Sequence, residues 1–259
     1  MTAPASPSPG RNTSGWTSDP PYGPMADSGY GNPAFYHSFF DDFDNSFGAA
    51  GLYTVSAGGA GSVAHTAGDG GLALFTTAAA NGNFESIQLP AASFTLPQGA
   101  LAGKKLFYLT RLQLGDINAS AFIAGLTNIT ATPFAGIADG IYFTKASGGT
   151  VLNIVSAVGS TLTTTPIPVG AYNFVNATNI DLGFYIDRQG NLNAFVSPNM
   201  VGFVPQSGTG TTLPTRGRVL TVPGLTLSAA NLSPILGVQT GAVAAKTMTV
   251  DFHCAQKER

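Results

Sequence analysis

Asn179 to Pro198 reads NIDLGFYIDRQGNLNAFVSP, two apolar-rich runs on either side of Asp-Arg-Gln-Gly-Asn. Five turn-forming residues including a glycine, set between such runs, are the signature of a β-hairpin. Leu182, Phe184 and Ile186 alternate with Gly183, Tyr185 and Asp187, and Leu192, Ala194 and Val196 continue the two-residue period after the turn. Each strand therefore has one core-seeking face, which predicts stacked antiparallel sheets.

Working outward, 33 Gly and 17 Pro among 259 residues leave little chain for long helices. Candidate strands are 38–43, 52–56, 72–77, 84–89, 104–114, 121–127, 139–144, 150–158, 180–187, 191–197, 218–222 and 246–255. Turn signals such as AGDGG, AANGN and KASGG separate them. The expected fold is an all-β, two-sheet antiparallel sandwich over residues 37–259, with 160–178 and 198–217 as long surface loops. Residues 1–36 form a proline- and glycine-rich extended arm with no periodic apolar face. Alone, such an arm cannot offset an ordering entropy of roughly 1–2 kcal/mol per residue. It nonetheless carries Trp16, Tyr22, Tyr30, Phe35 and Tyr36, which suit anchoring in a partner's pockets. The alternative is an inert linker.

Charged residues make up only 9% of the chain and the net charge is −2, so there is no basic footprint for nucleic acid. No apolar run approaches the ~20 residues of a membrane helix. The opening MTAPASPSPG lacks the basic and apolar regions of a signal peptide, so a soluble, unexported product is expected. Cys254 stands alone, which leaves no internal disulfide, and TMTVDFHCA alternates like a strand, which places Cys254 as a buried strand residue. His253 beside it should point to the opposite face, so no Cys-His pair is expected.

Catalytic signatures are sparse. Glycosidase chemistry needs two carboxylates ~5–10 Å apart. Glu85 and Glu258 are the only glutamates, and neither has an acidic residue two or four places away. There is no Gly-x-Ser-x-Gly elbow, and His37, His65 and His253 lack metal-ligand spacing. GALAGKK at 99–105 has three rather than four residues between its glycines and Leu106 where a phosphate loop has Ser or Thr. Asp41, Asp42, Asp44 and Asn45 offer hard oxygens that could suit calcium, yet without the glycine and downstream Glu of an EF-hand loop. A solvated strand end is the ordinary reading, so neither a metal nor another cofactor is expected.

FFDDF at 39–43, NFESIQL at 83–89, GKKLFYLTRLQL at 103–114, ADGIYFTK at 138–145, IDLGFYIDRQGNLNAFV at 180–196 and LSPILGVQTGAVAAKTMTVDFHCAQKER at 232–259 together resemble a family of tailed-phage virion proteins. Those proteins have a concanavalin-like or laminin-G-like sandwich. The resemblance implies a concanavalin-like jelly roll whose first and last strands lie together, pairing FFDDF with TMTVDF. It also implies a capsid decoration, or cement, protein: made in the host cytoplasm, carried on the virion exterior, bound to the major capsid protein, and associating with its own copies on the shell. The alternative is a carbohydrate- or receptor-binding module of a phage fibre, with a host glycan as partner. Trp16, the single tryptophan, lies in the arm rather than on a sheet, which weakens a sugar platform. A hydrolase is the least favoured role.

Overall fold

The computed structural model describes residues 36–44, 51–67, 71–97, 104–168, 172, 174–197 and 218–259. Sixteen strands are found among them: β1 (Tyr36–Asp41), β2 (Thr54–Ala57), β3 (Ser62–Thr66), β4 (Leu72–Thr76), β5 (Phe84–Gln88), β6 (Phe94–Thr95), β7 (Leu106–Leu114), β8 (Ser120–Thr127), β9 (Gly140–Lys145), β10 (Asn153–Val158), β11 (Thr161–Pro166), β12 (Ile180–Ile186), β13 (Leu192–Ser197), β14 (Arg218–Val222), β15 (Asn231–Thr240) and β16 (Thr247–Glu258). They form two eight-stranded antiparallel sheets. Sheet A runs β14-β13-β12-β7-β16-β4-β3, with β1 also on β16, and sheet B runs β11-β10-β9-β8-β15-β5-β2, with β6 also on β15.

The expected hairpin is β12–β13, in register from Asp181 opposite Ser197 to Ile186 opposite Leu192. Its turn is held by Asp187, whose Oδ1 accepts from the backbone of Gln189 (2.9 Å) and Asn191 (2.8 Å). Gly190 takes the positive φ of 81° that a side chain would resist. The core-facing residues of the two sheets interlock around Phe184, which is 1% exposed. Phe184 stacks on Tyr108 of its own sheet at 5.1 Å and meets Phe143 of sheet B at 6.1 Å.

Four strands depart from the sequence reading. β11 lies within 160–178, which was expected to be a surface loop. It pairs with β10 across Gly159-Ser160, both at positive φ (54° and 68°), a two-residue turn of the kind that closes hairpins. Its Thr-rich run is exposed along most of its length, so no apolar alternation marked it. β3 and β6 are short pieces. β15 is central to sheet B, but it contains Pro234, which argues against an interior strand. The structure resolves this: Pro234 sits where the neighbour changes from β5 to β6, so its missing N–H falls in a gap in the ladder. The 198–217 segment lies outside the described residues.

The first and last strands do lie together, but FFDDF does not face TMTVDF. β1 pairs with residues 253–258 of β16, Phe39 opposite Ala255 and Asp41 opposite His253, while Thr247–Val250 pair with β4. A bulge between Val250 and Phe252, where β16 faces β7, separates the two halves.

Replacing Phe184 with Ala should destabilise the sandwich by about 3–5 kcal/mol. The check is a urea midpoint well below that of the unmodified protein, with an unchanged slope.

Candidate functional site

Strand alternation sends Leu106, Tyr108 and Leu112 of β7 inward and Phe107, Leu109 and Arg111 outward. The same alternation turns Asp181 and Tyr185 of β12, Asn193 and Phe195 of β13, and Cys254 and Gln256 of β16 onto the outer face of sheet A. This face carries a second apolar cluster, Phe107, Leu109, Tyr185 and Cys254, with Phe195 and Phe252 packed against it. Phe107 and Tyr185 stack at 4.7 Å with ring planes 18° apart. Burial pushes the Cys254 thiol up to about 12, so it is a poor nucleophile at neutral pH.

Beside the rings lies a clamp of charge. Arg111 Nε donates to Asp181 Oδ1 at 2.7 Å and its Nη1 reaches Asp251 Oδ2 at 3.2 Å. The guanidinium carbon also sits 5.6 Å from the centre of the Phe252 ring. The hydrogen bond to Asp181 raises the Arg111 pKa above its ordinary value. Asp251 reaches Arg111 because it is the extra residue of the β16 bulge. Asn193, buried, accepts from the Thr221 hydroxyl at 3.0 Å.

Sheet B differs, because its outer cluster of Ile123, Tyr142, Val155, Ala157 and Ile235 is packed by Phe134 and Ile137. Those two come from the 128–139 connection, which Asn128 Oδ1 pins by accepting from Ala138 N and Asp139 N at 2.9 and 3.0 Å. Among the described residues, only strand residues of the same face pack against the sheet A cluster.

Of the five anchor aromatics expected in the arm, Trp16, Tyr22, Tyr30 and Phe35 lie outside the described residues. Tyr36 is the first residue of β1, opposite Glu258, and is 8% exposed, so it belongs to the sandwich's own sheet. Carboxylate oxygens of Asp41, Asp42 and Asp44 come within 4.8 Å of one another, and Asn45 lies outside the described residues. Local structure accounts for much of this cluster. Asp41 Oδ1 accepts from Phe43 N at 2.9 Å and Oδ2 from the Tyr53 hydroxyl at 2.7 Å, an Asx-type turn that carries Phe43 to a φ of 58°. Glu85 is buried in β5, where burial raises its pKa, whereas Glu258 ends β16 and pairs with Arg188 at 3.0 Å. The two glutamates thus sit in different sheets. His253 points inward, away from Cys254 as expected, against the rings of Tyr108 (5.3 Å) and Phe39 (5.4 Å).

The Arg111 clamp was not anticipated. Its members lie 70 and 140 positions apart in sequence, but each had a local sign: Arg111 and Asp181 interrupt otherwise apolar strands, where a charge requires a partner.

No family model and no curated protein matches the chain. Solved structures do. The CBM2 module of the evolved Dit of Lactobacillus casei BL23 phage J-1 is 12% identical, has a TM-score of 0.53, and covers 86% of this chain and 96% of its own. Peanut lectin is 11% identical with a TM-score of 0.53, over 86% and 97% of the two chains. The endo-β-1,4-glucuronan lyase of the fungus Trichoderma reesei is 10% identical with a TM-score of 0.53, over 84% and 94%. The fold is therefore a concanavalin-like, lectin-type sandwich.

Two outcomes are expected. Arg111→Met removes the guanidinium that neutralises the buried Asp181 carboxylate and should destabilise the protein by about 2–3 kcal/mol, read in thermal and urea unfolding. His253 is buried with neither ring nitrogen hydrogen-bonded, and burial lowers its pKa from 6.5 to about 3. The unfolded chain therefore binds the extra proton between those values. Its contribution to stability is complete above pH 6.5 and is lost by about 1.4 kcal/mol per unit as pH falls toward 3. Urea midpoints across that range should show this slope, and His253→Phe should flatten it.

Proposed function

We propose that this chain is a non-enzymatic component of a tailed-phage particle that docks on the capsid exterior and braces it, as a decoration or cement protein. The observation that carries this reading is the self-neutralised outer face of sheet A. Arg111 is held between the carboxylates of Asp181 and Asp251, so the charges of this face are matched to one another. What remains is an apolar cluster beside paired charge, the character of a contact surface rather than of a reaction centre. The phage-like runs in β1, β5, β7, β9, β12 and β16 support the particle, and so does the likeness to a phage Dit module. A stable contact needs on the order of 1,000 Å² or more, within reach of this face together with an arm bearing Trp16, Tyr22, Tyr30 and Phe35. Copies side by side on the shell would add avidity.

A second reading, glycan binding by a fibre or receptor-binding module, is favoured by the lectin likeness. The two separate in one experiment. The full-length protein is sedimented with shells of its own phage and applied in parallel to a glycan array. Saturable binding to shells is expected. Binding to glycans with none to shells would replace the first reading with the second, and turnover of a polyuronic acid in the same samples would overturn both.

A further inference from the structure

We propose that the end of the sandwich where β1, β16 and the start of β7 meet is a binding site for a small, multiply charged oxyanion of the phosphate class, held by Lys104, Lys257, Arg259 and the His37 imidazole. The site is separate from the outer face of sheet A and does not depend on the capsid reading. β1 and β16 set His37 opposite Lys257 and Tyr36 opposite Glu258, and Lys257 lies opposite Leu106 of β7. Strand alternation then divides the charges of β16 between its two faces. Glu258, on one face, is committed: its Oε1 accepts from Arg188 Nη2 at 3.0 Å and its Oε2 from Lys105 N at 2.9 Å. Lys257, on the other face, crosses to sheet B, where its Nζ donates to the Thr95 hydroxyl of β6. Lys104 Nζ donates to the main-chain oxygen of Arg259, and Arg259 Nε donates to Tyr36 O at 3.3 Å. Among the described residues, none of these three cations forms an ion pair.

The three charges act on one another instead. Lys257 is half-buried, and its pKa is lowered by burial and then by Lys104 and Arg259; that of His37 is lowered by burial and then by Arg259 and Lys257. His37 packs its ring against Phe94 at 4.7 Å, and its buried Nε2 has no hydrogen-bond partner. A buried polar nitrogen in a native protein is normally bonded. These groups share the need for one acceptor, and the size of the charge excess selects its class. A single carboxylate would cancel one charge of the three. A phosphate group brings roughly −1.5 to −2 at neutral pH and three acceptor oxygens, so one or two linked phosphates meet the lysine, arginine, histidine and Thr95 donors together. Long polyanions fit less well, because the chain is net −2 in spite of this cluster and the rest of its surface repels them.

The full-length protein is titrated with inorganic pyrophosphate, with inorganic phosphate and with sodium chloride at matched ionic strength, and followed by calorimetry, Tm and the histidine ring resonances. Saturable binding of pyrophosphate is expected, tighter than that of phosphate and accompanied by a rise in Tm. The bound anion should raise the His37 pKa, while the His65 resonance, from β3 at the edge of sheet A, stays in place. His37→Asn assigns the resonance. Lys104→Gln combined with Arg259→Gln should weaken binding about tenfold or more, the loss expected when charge-assisted hydrogen bonds are removed. Arg259 is exposed and Lys104 partly so, and the Tm of this variant without ligand shows that the fold is kept. Equal shifts with sodium chloride, an unmoved His37 resonance, an unchanged affinity in the double variant, or binding of poly-glutamate or sulfated dextran with none of pyrophosphate would each overturn the proposal.

Discussion

The pairing of β16 is the constraint on which the rest depends. Its twelve residues run against β7 on one side and against β4 and then β1 on the other. An antiparallel strand can meet two partners in line on one edge only if its twist and register are adjusted between them, and the bulge at Asp251 lies where the two halves meet. The same bulge turns Asp251 toward Arg111, so a backbone irregularity needed for topology also completes the charge clamp. His253 follows directly and is carried into the core, while Cys254 is carried out of it.

Burial on both faces is the second organising fact. A solvated sheet face would show a clean alternation of apolar and polar residues, but β8, β12 and most of β7 are buried at nearly every position. That pattern is ordinary where a sheet is covered on both sides. It explains how so weakly charged a chain is organised. Several charges are matched within the fold: Arg111 by Asp181 and Asp251, Lys246, just before β16, by Asp116 at 2.7 Å, and Lys145 by the carbonyls of Ala146 and Gly149 at 2.9 Å each.

The legible parts of the sequence were those where one residue type has one physical use. Asp187 and Gly190 announce their turn because few residues can make it, and the inward Leu182, Phe184 and Ile186 announce a core. β15 was hidden by Pro234, whose tolerance depends on a gap between two other strands that no local pattern reveals. β11 was hidden because an exposed edge has no apolar face to declare. On the candidate site, the aromatic positions were visible as strand residues, but their outward direction depends on the register of β7 against β12 and β16. The clamp was less visible still, since it joins three strands and a bulge.

The placement of β16 also governs when this chain can fold. β7, β4 and β1 reach one another in sheet A only through residues 247–258, so no native form of that sheet exists until nearly the whole sequence has left the ribosome. Sheet B depends likewise on β15, at 231–240. Such long-range closure makes for slow folding, with strand edges open in the meantime. The sparse charge that suits the finished surface gives those edges little protection during synthesis, so assembly of this sandwich is a race between closing on its last strands and pairing with another chain.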